Sequence, residues 1–493
     1  MVVAVWLSCM AWLLRFEAFP EWFVHEIPGY RSLISGKPAV VDTWMKITME
    51  GAHIGYSHTS VDVNDEASHD EIIIHNRTLL KLLIMGERQR VKITSGAVLD
   101  GGYGMQSFDF AMSAGKYTVE VEGKHLGNRE YLVETHSAGL DVKKRVKIPK
   151  DAVIYSPYLE MVLKDLKPGQ ETKLKIFDPL LLETSDVLIK AIAYENMTIL
   201  GEEQEVLELL INLKEMAIKA WMDKEGRVIR QETPFGWHMV ACAQNEAIQI
   251  DPNEFAQVDM LEHSGVPVNG EIGERTAKVV RHLRLSGLDY ALTDMPGLER
   301  QEILASGEDF VDLRISSEPP PPQPSNLAIP ADVRPYLAAT TYIQSDHPDL
   351  IKRAKSIVGS SKDPEEQAMK LYHWVHQKVQ KFPTVSLPSA LDVLKNMEGD
   401  CNEHTYLYVG LARAAGIPSA VRVGIMHVDG FFGYHAWPAI YVNGRWLDID
   451  PTLGQEIADS THIILITGEI ESQMELVRYL GKLKIDVLPG DQP

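Results

Sequence analysis

Hydrophobic and polar positions alternate through the first half of the chain. From about Asp42 to Ala247, short alternating runs are separated by turns rich in Asp and Gly, such as Leu99–Tyr103. Alternation with a period of two, interrupted about every 8 to 12 residues, predicts antiparallel strands. We therefore expect a sandwich, an open barrel or a long antiparallel sheet here. Ala152–Lys164 is the single amphipathic helix predicted within it.

The pattern is less regular between residues 250 and 318. Thr276–Gly287 and Asp309–Ser316 read as strands. They predict either a small β domain or a continuation of the first sheet. The run E-P-P-P-P-Q-P-S at residues 318–325 follows. Polyproline cannot pair in a sheet and favours an extended spacer. We therefore expect proteolysis at this linker to leave a folded C-terminal fragment.

Helical spacing replaces strand spacing after the linker. Ala331–Ile343 and His347–Val358 are predicted helices. A third helix should begin at Asp363, with Pro364 in its first position, because an acidic cap followed by proline is a common start signal. Ser389–Met397 predicts a further short helix before Gly399.

A helix should also begin at Cys401. Asp400 followed three residues later by Glu403 forms a capping-box pattern, and Gly416 marks the helix end. Cys401 therefore falls in the first helical turn. There, the helix dipole and free N–H groups favour a thiolate, which predicts a lowered thiol pKa.

Three strands and their connections follow this helix. Ser419–Val428 reads as a strand, Gly430–Tyr434 as a glycine–aromatic loop, and His435–Val442 as a second strand. Asn443-Gly444 then predicts a tight hairpin turn into a third strand, Arg445–Asp450.

The hairpin brings a histidine close to two aspartates. Counting outward from the two-residue turn pairs Ala439 with Asp448 and Trp437 with Asp450. Both aspartates share a strand face with His435, but only Asp450 is near enough to orient its imidazole. Asp448 remains the rival carboxylate on alternation alone.

Four motifs in this order resemble the transglutaminase-like superfamily. The resemblance covers roughly residues 335–480 and implies a papain-like α+β core, in which a helix presents a cysteine against an antiparallel sheet. It implies Cys401 as nucleophile, His435 as base and Asp450 as orienting carboxylate. The chemistry implied is acyl transfer from an amide through a thioester, to water or to an amine. The motifs are G-D-C-N-E (399–403), R-A-A-G-I-P (413–418), H-A-W (435–437) and W-L-D-I-D-P-T (446–452).

The fold class expected from these patterns is α+β, with a papain-like/transglutaminase-like C-terminal core preceded by a large antiparallel β-rich region. The expected divisions are an apolar signal or anchor segment (1–24), a β-rich domain (39–249), a small β region or its continuation (250–318), a Pro-rich linker (319–329) and a catalytic domain (330–493).

Other functions for the same residues stay open at this point. Cys401 could be an inert buried cysteine, and Cys401, His404, His427 and His435 could together ligate a metal ion. The chain could also be a non-catalytic envelope scaffold whose β-rich region binds a protein or peptide partner. The implied thiol chemistry requires no cofactor and no metal. Calcium dependence is not implied, because no EF-hand-like acidic loop is present.

Composition limits the partners and the location of the chain. A net charge of −21 argues against nucleic acid as the main partner, so a protein or peptide substrate is expected. Cys9, Cys242 and Cys401 are too few and too scattered for a disulfide framework. The apolar run at residues 2–14 has the length of a signal-peptide core. It predicts an extracytoplasmic protein of the bacterial periplasm or cell envelope, with membrane attachment if the run is retained. A buried N-terminal helix is the alternative for this run.

Overall fold

The structure is a computed structural model. It describes residues 25–26 and 41–489, except for residues 65–70, 138–139, 155–165, 200, 214–215, 225, 235, 252–254, 258, 274–279, 288–299, 319–320, 323–327, 385–388, 429, 474–475, 477–478 and 480. The predicted N-terminal signal or anchor segment lies outside these residues. Within them, no helix is both long and apolar enough to cross a membrane.

Sixteen strands of the described residues form one large sheet, ordered β1-β11-β12-β13-β14-β15-β16-β2-β3-β4-β5-β6-β7-β8-β9, with β10 beside β11. Apart from the parallel β1 and β10, its strands are antiparallel to their neighbours. Their bounds are β1 His25–Glu26, β2 Val41–Met49, β3 Ala52–Asn64, β4 Glu71–Ile84, β5 Glu87–Leu99, β6 Met105–Ala114, β7 Tyr117–Gly127, β8 Glu130–Ser137, β9 Leu140–Lys147, β10 Ala152–Ile154, β11 Glu171–Asp178, β12 Glu183–Ile199, β13 Glu202–Leu213, β14 Met216–Met222, β15 Val228–Glu232 and β16 Trp237–Cys242.

The alternating hydrophobic and polar positions that predicted these strands correspond to alternating buried and exposed side chains. In β7, Tyr117, Val119 and Val121 are buried while the residues between them are exposed. The expectation of a long antiparallel sheet is thus met in the described part of this region. The predicted helix at Ala152–Lys164 is wrong at its start, because Ala152–Ile154 pair with β11 as β10. The rest of that predicted helix lies outside the described residues.

A second sheet has the order β19-β20-β18-β27-β17-β24-β23-β26, with β25 beside β24. A two-stranded ribbon pairs β21 with β22. The bounds are β17 Val266–Asn269, β18 Val280–Ser286, β19 Gln301–Ser306, β20 Phe310–Ser316, β21 Gln380–Lys381, β22 Glu398–Gly399, β23 Ser419–Val428, β24 Phe431–Val442, β25 Arg445–Asp448, β26 Ile463–Thr467 and β27 Lys484–Val487.

Strand pairing in the second sheet crosses the proline-rich linker. Val266 in β17 pairs with Phe432 in β24, and Val268 pairs with Ile485 in β27. Leu283 of β18 is also buried in the same hydrophobic core as the helices that follow the linker. The four described strands between residues 266 and 316 therefore belong to the second sheet and do not continue the large one. The linker position itself stays a prediction, but the strands on its two sides share one sheet and one core.

The helices lie mainly after the linker and cover the second sheet. The predicted helix at Ala331–Ile343 is wrong, because only Arg334–Leu337 form a short 3-10 turn. Pro335 supplies no N–H and restricts the residue before it, which opposes a longer helix. The α-helices are α1 Gln244–Ile248, α2 Met260–His263, α3 Pro348–Val358, α4 Pro364–Lys378, α5 Ala390–Asn396, α6 Cys401–Ala414 and α7 Ile470–Gln473.

Strands make up 54% of the residues that the structure describes and helices 17%, so this part of the molecule is more β-rich than the expected α+β class implied. The helix-on-sheet arrangement is confined to the C-terminal region. Hydrogen bonds join the large sheet to that region, among them one from Tyr117 Oη to Glu398 O. Tyr342 Oη donates to Leu180 O at 2.7 Å, Gln89 Nε2 to Pro383 O at 2.8 Å, and Lys116 Nζ to Glu398 at 2.6 Å.

Candidate active site

Cys401 is the first residue of α6, as its capping sequence predicted. The Asp400 carboxylate accepts a hydrogen bond from Asn402 N at 2.9 Å, and Asp400 N donates to the Glu403 carboxylate at 3.0 Å. Both halves of the capping box are therefore formed. Gly399 has φ +152°, and a Cβ there would lie 2.2 Å from Glu403 Cβ. The glycine thus permits the tight approach that positions Cys401 at the helix start.

Helix α6 is held against strand β24 next to His435. Thr405 Oγ1 donates to Ala436 O at 3.1 Å, and a backbone hydrogen bond at Ala436 also reaches Cys401. Nearly all of α6 from Glu403 onward is buried, so the helix has little freedom to shift. Cys401 consequently lies beside the strand position that carries His435.

The hairpin formed by β24 and β25 has the predicted register. Ala439 pairs with Asp448, and Asn443 takes the left-handed conformation at φ 50° that the Asn-Gly turn favours. Strand β24 starts at Phe431, so the predicted loop at Gly430–Tyr434 is mostly strand. β25 ends at Asp448, and the chain then turns back so that Asp450 N donates to Gln455 O at 2.8 Å.

His435 and Asp450 are in direct contact. His435 Nε2 lies 2.9 Å from Asp450 Oδ2, and the pair is almost completely buried. The other carboxylate oxygen, Oδ1, accepts Leu453 N at 3.0 Å. This contact can fix the imidazole with its remaining nitrogen free to exchange a proton with a nearby thiol.

Asp448 has a different set of partners. It faces Arg422 Nε at 3.4 Å and Arg300 Nη1 at 3.6 Å, and all three side chains are buried. The structure therefore places the rival carboxylate in a charge cluster of its own. Neither Trp437 nor Trp446 carries a reacting group: Trp437 stacks beside His435 with centroids 5.9 Å apart, while Trp446 packs on Tyr336.

Two residues of the site were not found from the sequence. His462 Nε2 lies 3.2 Å from Asp450 Oδ2, and His462 Nδ1 lies 3.1 Å from Asp459 Oδ1. The chain of contacts is thus His435, Asp450, His462 and Asp459. His462 immediately precedes β26, whose pairing with β23 brings it to the site. The sequence D-S-T-H at residues 459–462 matches no motif that indicates a site, and the partner Asp450 lies twelve residues before His462.

Comparison with known proteins assigns the C-terminal region. Residues 351–451 match the profile of the transglutaminase-like superfamily. Residues 351–451 are transglutaminase-like, and we refer to the C-terminal region that contains them as the transglutaminase-like domain. A protein of Haemophilus influenzae, described as uncharacterised, is 31% identical over 108 residues, which are 21% of this chain and 29% of that protein. The chain thus matches less than a third of this relative's length.

Three solved structures show weaker likeness to the chain. A proposed cysteine protease from Cytophaga hutchinsonii is 18% identical, with coverage of 42% of this chain and 82% of that one and a TM-score of 0.28. A DUF1089 family protein from Pseudomonas aeruginosa is 11% identical, with coverages of 35% and 87% and a TM-score of 0.21. A proposed protease from Parabacteroides distasonis is 12% identical, with coverages of 78% and 70% and a TM-score of 0.20.

Charge in the transglutaminase-like domain is concentrated around Asp450. Burial alone would raise the pKa of Asp450, but His435 and His462 together outweigh it and hold that pKa well below its usual range. For His462, burial works to lower the pKa, and the hydrogen bonds to Asp450 and Asp459 reverse this and raise it. The buried carboxylate is therefore ionised, and it is stabilised by two imidazoles.

The predicted low pKa of Cys401 is wrong for this resting structure. Burial raises the pKa of the thiol well above its ordinary value, and the nearby carboxylate of Asp400 raises it further. Glu403 and Asp450 act in the same direction, while the backbone hydrogen bond at Ala436 opposes them. The helix N-terminus thus does not by itself produce a thiolate, and Cys401 needs a base when it reacts.

Metal ligation was an alternative for these residues. In the part of the chain that the structure describes, His435, Asp450 and His462 are the one group of side chains close enough together to share a metal ion, with ligand atoms within 4.8 Å of one another. The predicted alternative set of Cys401, His404, His427 and His435 is not brought together as such a group. The contacts of His435 and His462 with Asp450 have hydrogen-bond lengths. We therefore describe the three residues as a hydrogen-bonded chain.

Proposed function

We propose that the transglutaminase-like domain performs acyl transfer or hydrolysis at peptide or glutamine-type amide bonds through a thioester on Cys401. The observation that carries the proposal is the 2.9 Å contact between His435 and Asp450, beside a helix that starts at Cys401. A thiol, an imidazole and an orienting carboxylate are the groups that nucleophilic catalysis on an amide requires. The fold assignment supports the same chemistry.

The proposed first step is attack of Cys401 Sγ on the amide carbonyl carbon. His435 accepts the thiol proton as the S–C bond forms, because the raised thiol pKa leaves little free thiolate. In this proposal the backbone N–H of Cys401, in the first turn of α6, donates to the developing oxyanion. His435 then returns the proton to the leaving nitrogen as the C–N bond breaks.

The proposed second step releases the acyl group. Water or an amine attacks the thioester carbon while His435 takes the nucleophile's proton. The C–S bond then breaks, and the departing Cys401 thiolate recovers the proton from His435. Asp450 keeps the imidazole in the required orientation in both steps, since its carboxylate stays ionised beside His435. No metal ion or organic cofactor takes part in these steps.

The proposed partner is a protein or peptide substrate in an extracytoplasmic compartment. The support for the substrate class is the acyl-transfer chemistry, together with a net charge of −21 that disfavours nucleic acid. The support for the location is the apolar run at residues 2–14, which has signal-peptide length and would also allow membrane attachment.

Product analysis tests the proposal. The full chain is incubated with glutamine-containing peptides and a fluorescent primary amine, and three products are measured: released ammonia, amine-coupled peptide and cleaved peptide. We expect at least one product from the wild type and none from Cys401→Ala or His435→Gln. Cys242→Ala is the matched cysteine control and should keep the wild-type rate. Equal products from Cys401→Ala and the wild type would overturn the proposal.

A further inference from the structure

The large sheet reaches the chain segment that leads into Cys401. Tyr117, the first residue of β7, is buried, and its Oη donates a hydrogen bond to the backbone oxygen of Glu398. In the turn just before β7, Lys116 Nζ lies 2.6 Å from the Glu398 carboxylate. Glu398 begins β22 and lies three residues before Cys401. One turn of the large sheet therefore contacts the start of the segment that carries the candidate nucleophile.

Strand β22 is held along both of its edges. On one edge it pairs with β21, and the chain continues this pairing where Phe382 N donates to Gly399 O at 3.0 Å. The backbone oxygen of Glu398 instead accepts its hydrogen bond from the large sheet, through Tyr117. A buried backbone carbonyl needs a donor, and here a side chain from a distant strand supplies it. The two edges together fix the position of β22.

The hydrophobic cores on the two sides of this contact are separate. Among the described residues, the cores of the large sheet and the core of the second sheet with its helices have no member in common. Gln89 Nε2 of β5 donates to Pro383 O at 2.8 Å, just after β21. The position of the β21–β22 ribbon against the large sheet therefore depends on a few polar contacts. A cavity also lies between the two parts beside this contact, lined by Tyr117, Val119 and Val121 on one side and by Tyr342, Ser389 and Asp392 on the other.

The chain between Glu398 and Cys401 has little freedom to absorb a shift. Gly399 approaches the first turn of α6 so closely that a Cβ on it would lie 2.2 Å from Glu403 Cβ. Asp400 is fixed as the N-cap of α6 by both halves of the capping box. A displacement of Glu398 is therefore passed on to the start of α6, where Cys401 lies.

We propose that Tyr117 is a positioning residue of the candidate active site, whose hydroxyl fixes Glu398 and, through the two residues that follow, the location of the Cys401 thiol. This inference rests on the proposed function, because it concerns where the proposed nucleophile lies. Burial and, after it, the carboxylates of Glu403 and Glu398 raise the pKa of Tyr117, so the hydroxyl keeps the proton that it donates. The large sheet is thus a part of the candidate active site.

The test removes the hydroxyl alone, with Tyr117→Phe in the full chain. Acylation of Cys401 by p-nitrophenyl acetate is timed by rapid quench and peptide mass spectrometry, well below the melting temperature. We expect the acylation rate constant to fall by roughly tenfold to a hundredfold, because a misplacement of about 1 Å can cost about a hundredfold. Peptides spanning residues 398–404 should also exchange amide hydrogens roughly tenfold faster, because a buried hydrogen bond to β22 is lost.

Tyr131→Phe is the matched control for this variant. Tyr131 is as buried as Tyr117, with 6% of each residue exposed, and its Oη donates to Met105 O at 2.7 Å within the large sheet. Losing this bond should lower the melting temperature but change neither the acylation rate constant of Cys401 nor the exchange of the 398–404 peptides. If Tyr117 only supports the fold, the two variants will behave alike, and that result overturns the inference.

A second pair of variants decides the matter if Tyr117→Phe does not fold. Lys116→Met removes the cation beside Glu398, and Lys143→Met removes a comparable contact with Glu134 at 2.8 Å. The two lysine side chains are 66% and 62% exposed, so both variants should fold. Exchange of the 398–404 peptides should be faster in Lys116→Met alone, by roughly twofold to fivefold. Equal exchange in these two variants overturns the inference.

Failure of the inference can be told apart from failure of the proposed function. A wild type that is not acylated on Cys401 counts against the proposed function. Hydrogen exchange needs no turnover, so the comparison of Tyr117→Phe with Tyr131→Phe still decides the inference in that case. If the wild type is acylated and Tyr117→Phe reacts at the wild-type rate, the proposed function stands and the positioning role of Tyr117 is wrong.

Discussion

Asp448 and Asp450 lie two residues apart, yet replacing each by asparagine should affect turnover differently. Asp450→Asn should abolish turnover by releasing the His435 imidazole. Asp448→Asn should keep the catalytic groups in place and destabilise the sheet. Asp448 faces Arg422 at 3.4 Å and Arg300 at 3.6 Å in a buried cluster. The substitution leaves both guanidinium groups without their counter-charge.

The size of the loss follows from the distances. At an effective dielectric constant of about 20, each contact corresponds to about 5 kcal/mol of attraction before desolvation is counted. Breaking a buried pair by removing one partner costs about 3–5 kcal/mol net. Because asparagine keeps one oxygen that can accept a hydrogen bond from a guanidinium, the cost of Asp448→Asn should lie near the lower value, about 3 kcal/mol. A loss of about 3 kcal/mol lowers hydrogen-exchange protection of β23–β25 by roughly a hundredfold.

Hydrogen exchange with mass spectrometry of peptides from residues 419–448 measures this loss. Asp312→Asn is the control, since Asp312 meets Arg284 in a bidentate contact of 2.7 and 2.9 Å that is only partly buried. It should change protection less, because water can still solvate the Arg284 guanidinium, whose side chain is 38% exposed. The reasoning is refuted if hydrogen-exchange protection of β23–β25 is as high in Asp448→Asn as in Asp312→Asn. A stable Asp448→Asn without turnover would contradict the assignment of Asp450.

Three further outcomes are expected. Gly424→Ala should prevent β23 from pairing with β26, because its Cβ would lie 1.9 Å from Ile463 O; loss of protection in β26 measures this, and normal protection would contradict it. Thermal stability should depend on two shifted groups. Because the pKa of Asp450 is lowered in the folded state, Asp450 stabilises the fold above about pH 4, and this stability is lost as the pH falls. Because the pKa of His462 is raised in the folded state, His462 stabilises the fold below about pH 6.5, and this stability is lost as the pH rises through the folded-state pKa of His462. Melting midpoints from pH 3 to 10 should fall on both sides, and His462→Gln should lack the His462-dependent alkaline loss. A fragment of residues 330–493 should not melt cooperatively, whereas residues 250–493 should, because β27 pairs with β17 and β18; equal melting of both fragments would contradict this.

Local signals predicted where Cys401 and the hairpin that carries His435 lie in the fold. The capping box at Asp400 and Glu403 set the start of α6, and the Asn443-Gly444 turn set the register that separates Asp448 from Asp450. Each signal acts over a few residues, so the sequence alone carries it. The capping and register predictions are confirmed for this reason, while the chemical roles of the residues stay proposals.

The remaining features depend on contacts between distant segments. Arg300 reaches Asp459 across 159 positions, and Gln301 Nε2 bonds Ile464 O at 3.0 Å. Nothing local in the sequence indicates such partners, so the link between residues 266–316 and the transglutaminase-like domain was not predicted. The raised pKa of Cys401 has the same origin, because burial by the assembled fold outweighs the helix N-terminus. The position of His462 likewise follows from the pairing of β26 with β23.

A single acylation measurement tests the central claim that Cys401 is the nucleophile served by His435 and Asp450. The full chain is treated with p-nitrophenyl acetate at neutral pH, quenched in acid and analysed by intact and peptide mass spectrometry. We predict a burst of about one acetyl group per chain on Cys401, and hydroxylamine should remove this group because it is held as a thioester. Acetylation should be strongly slowed in His435→Gln and Asp450→Asn and absent in Cys401→Ala. The same acetylation in Cys401→Ala as in the wild type, or faster acetylation of Cys242 than of Cys401, would contradict the account.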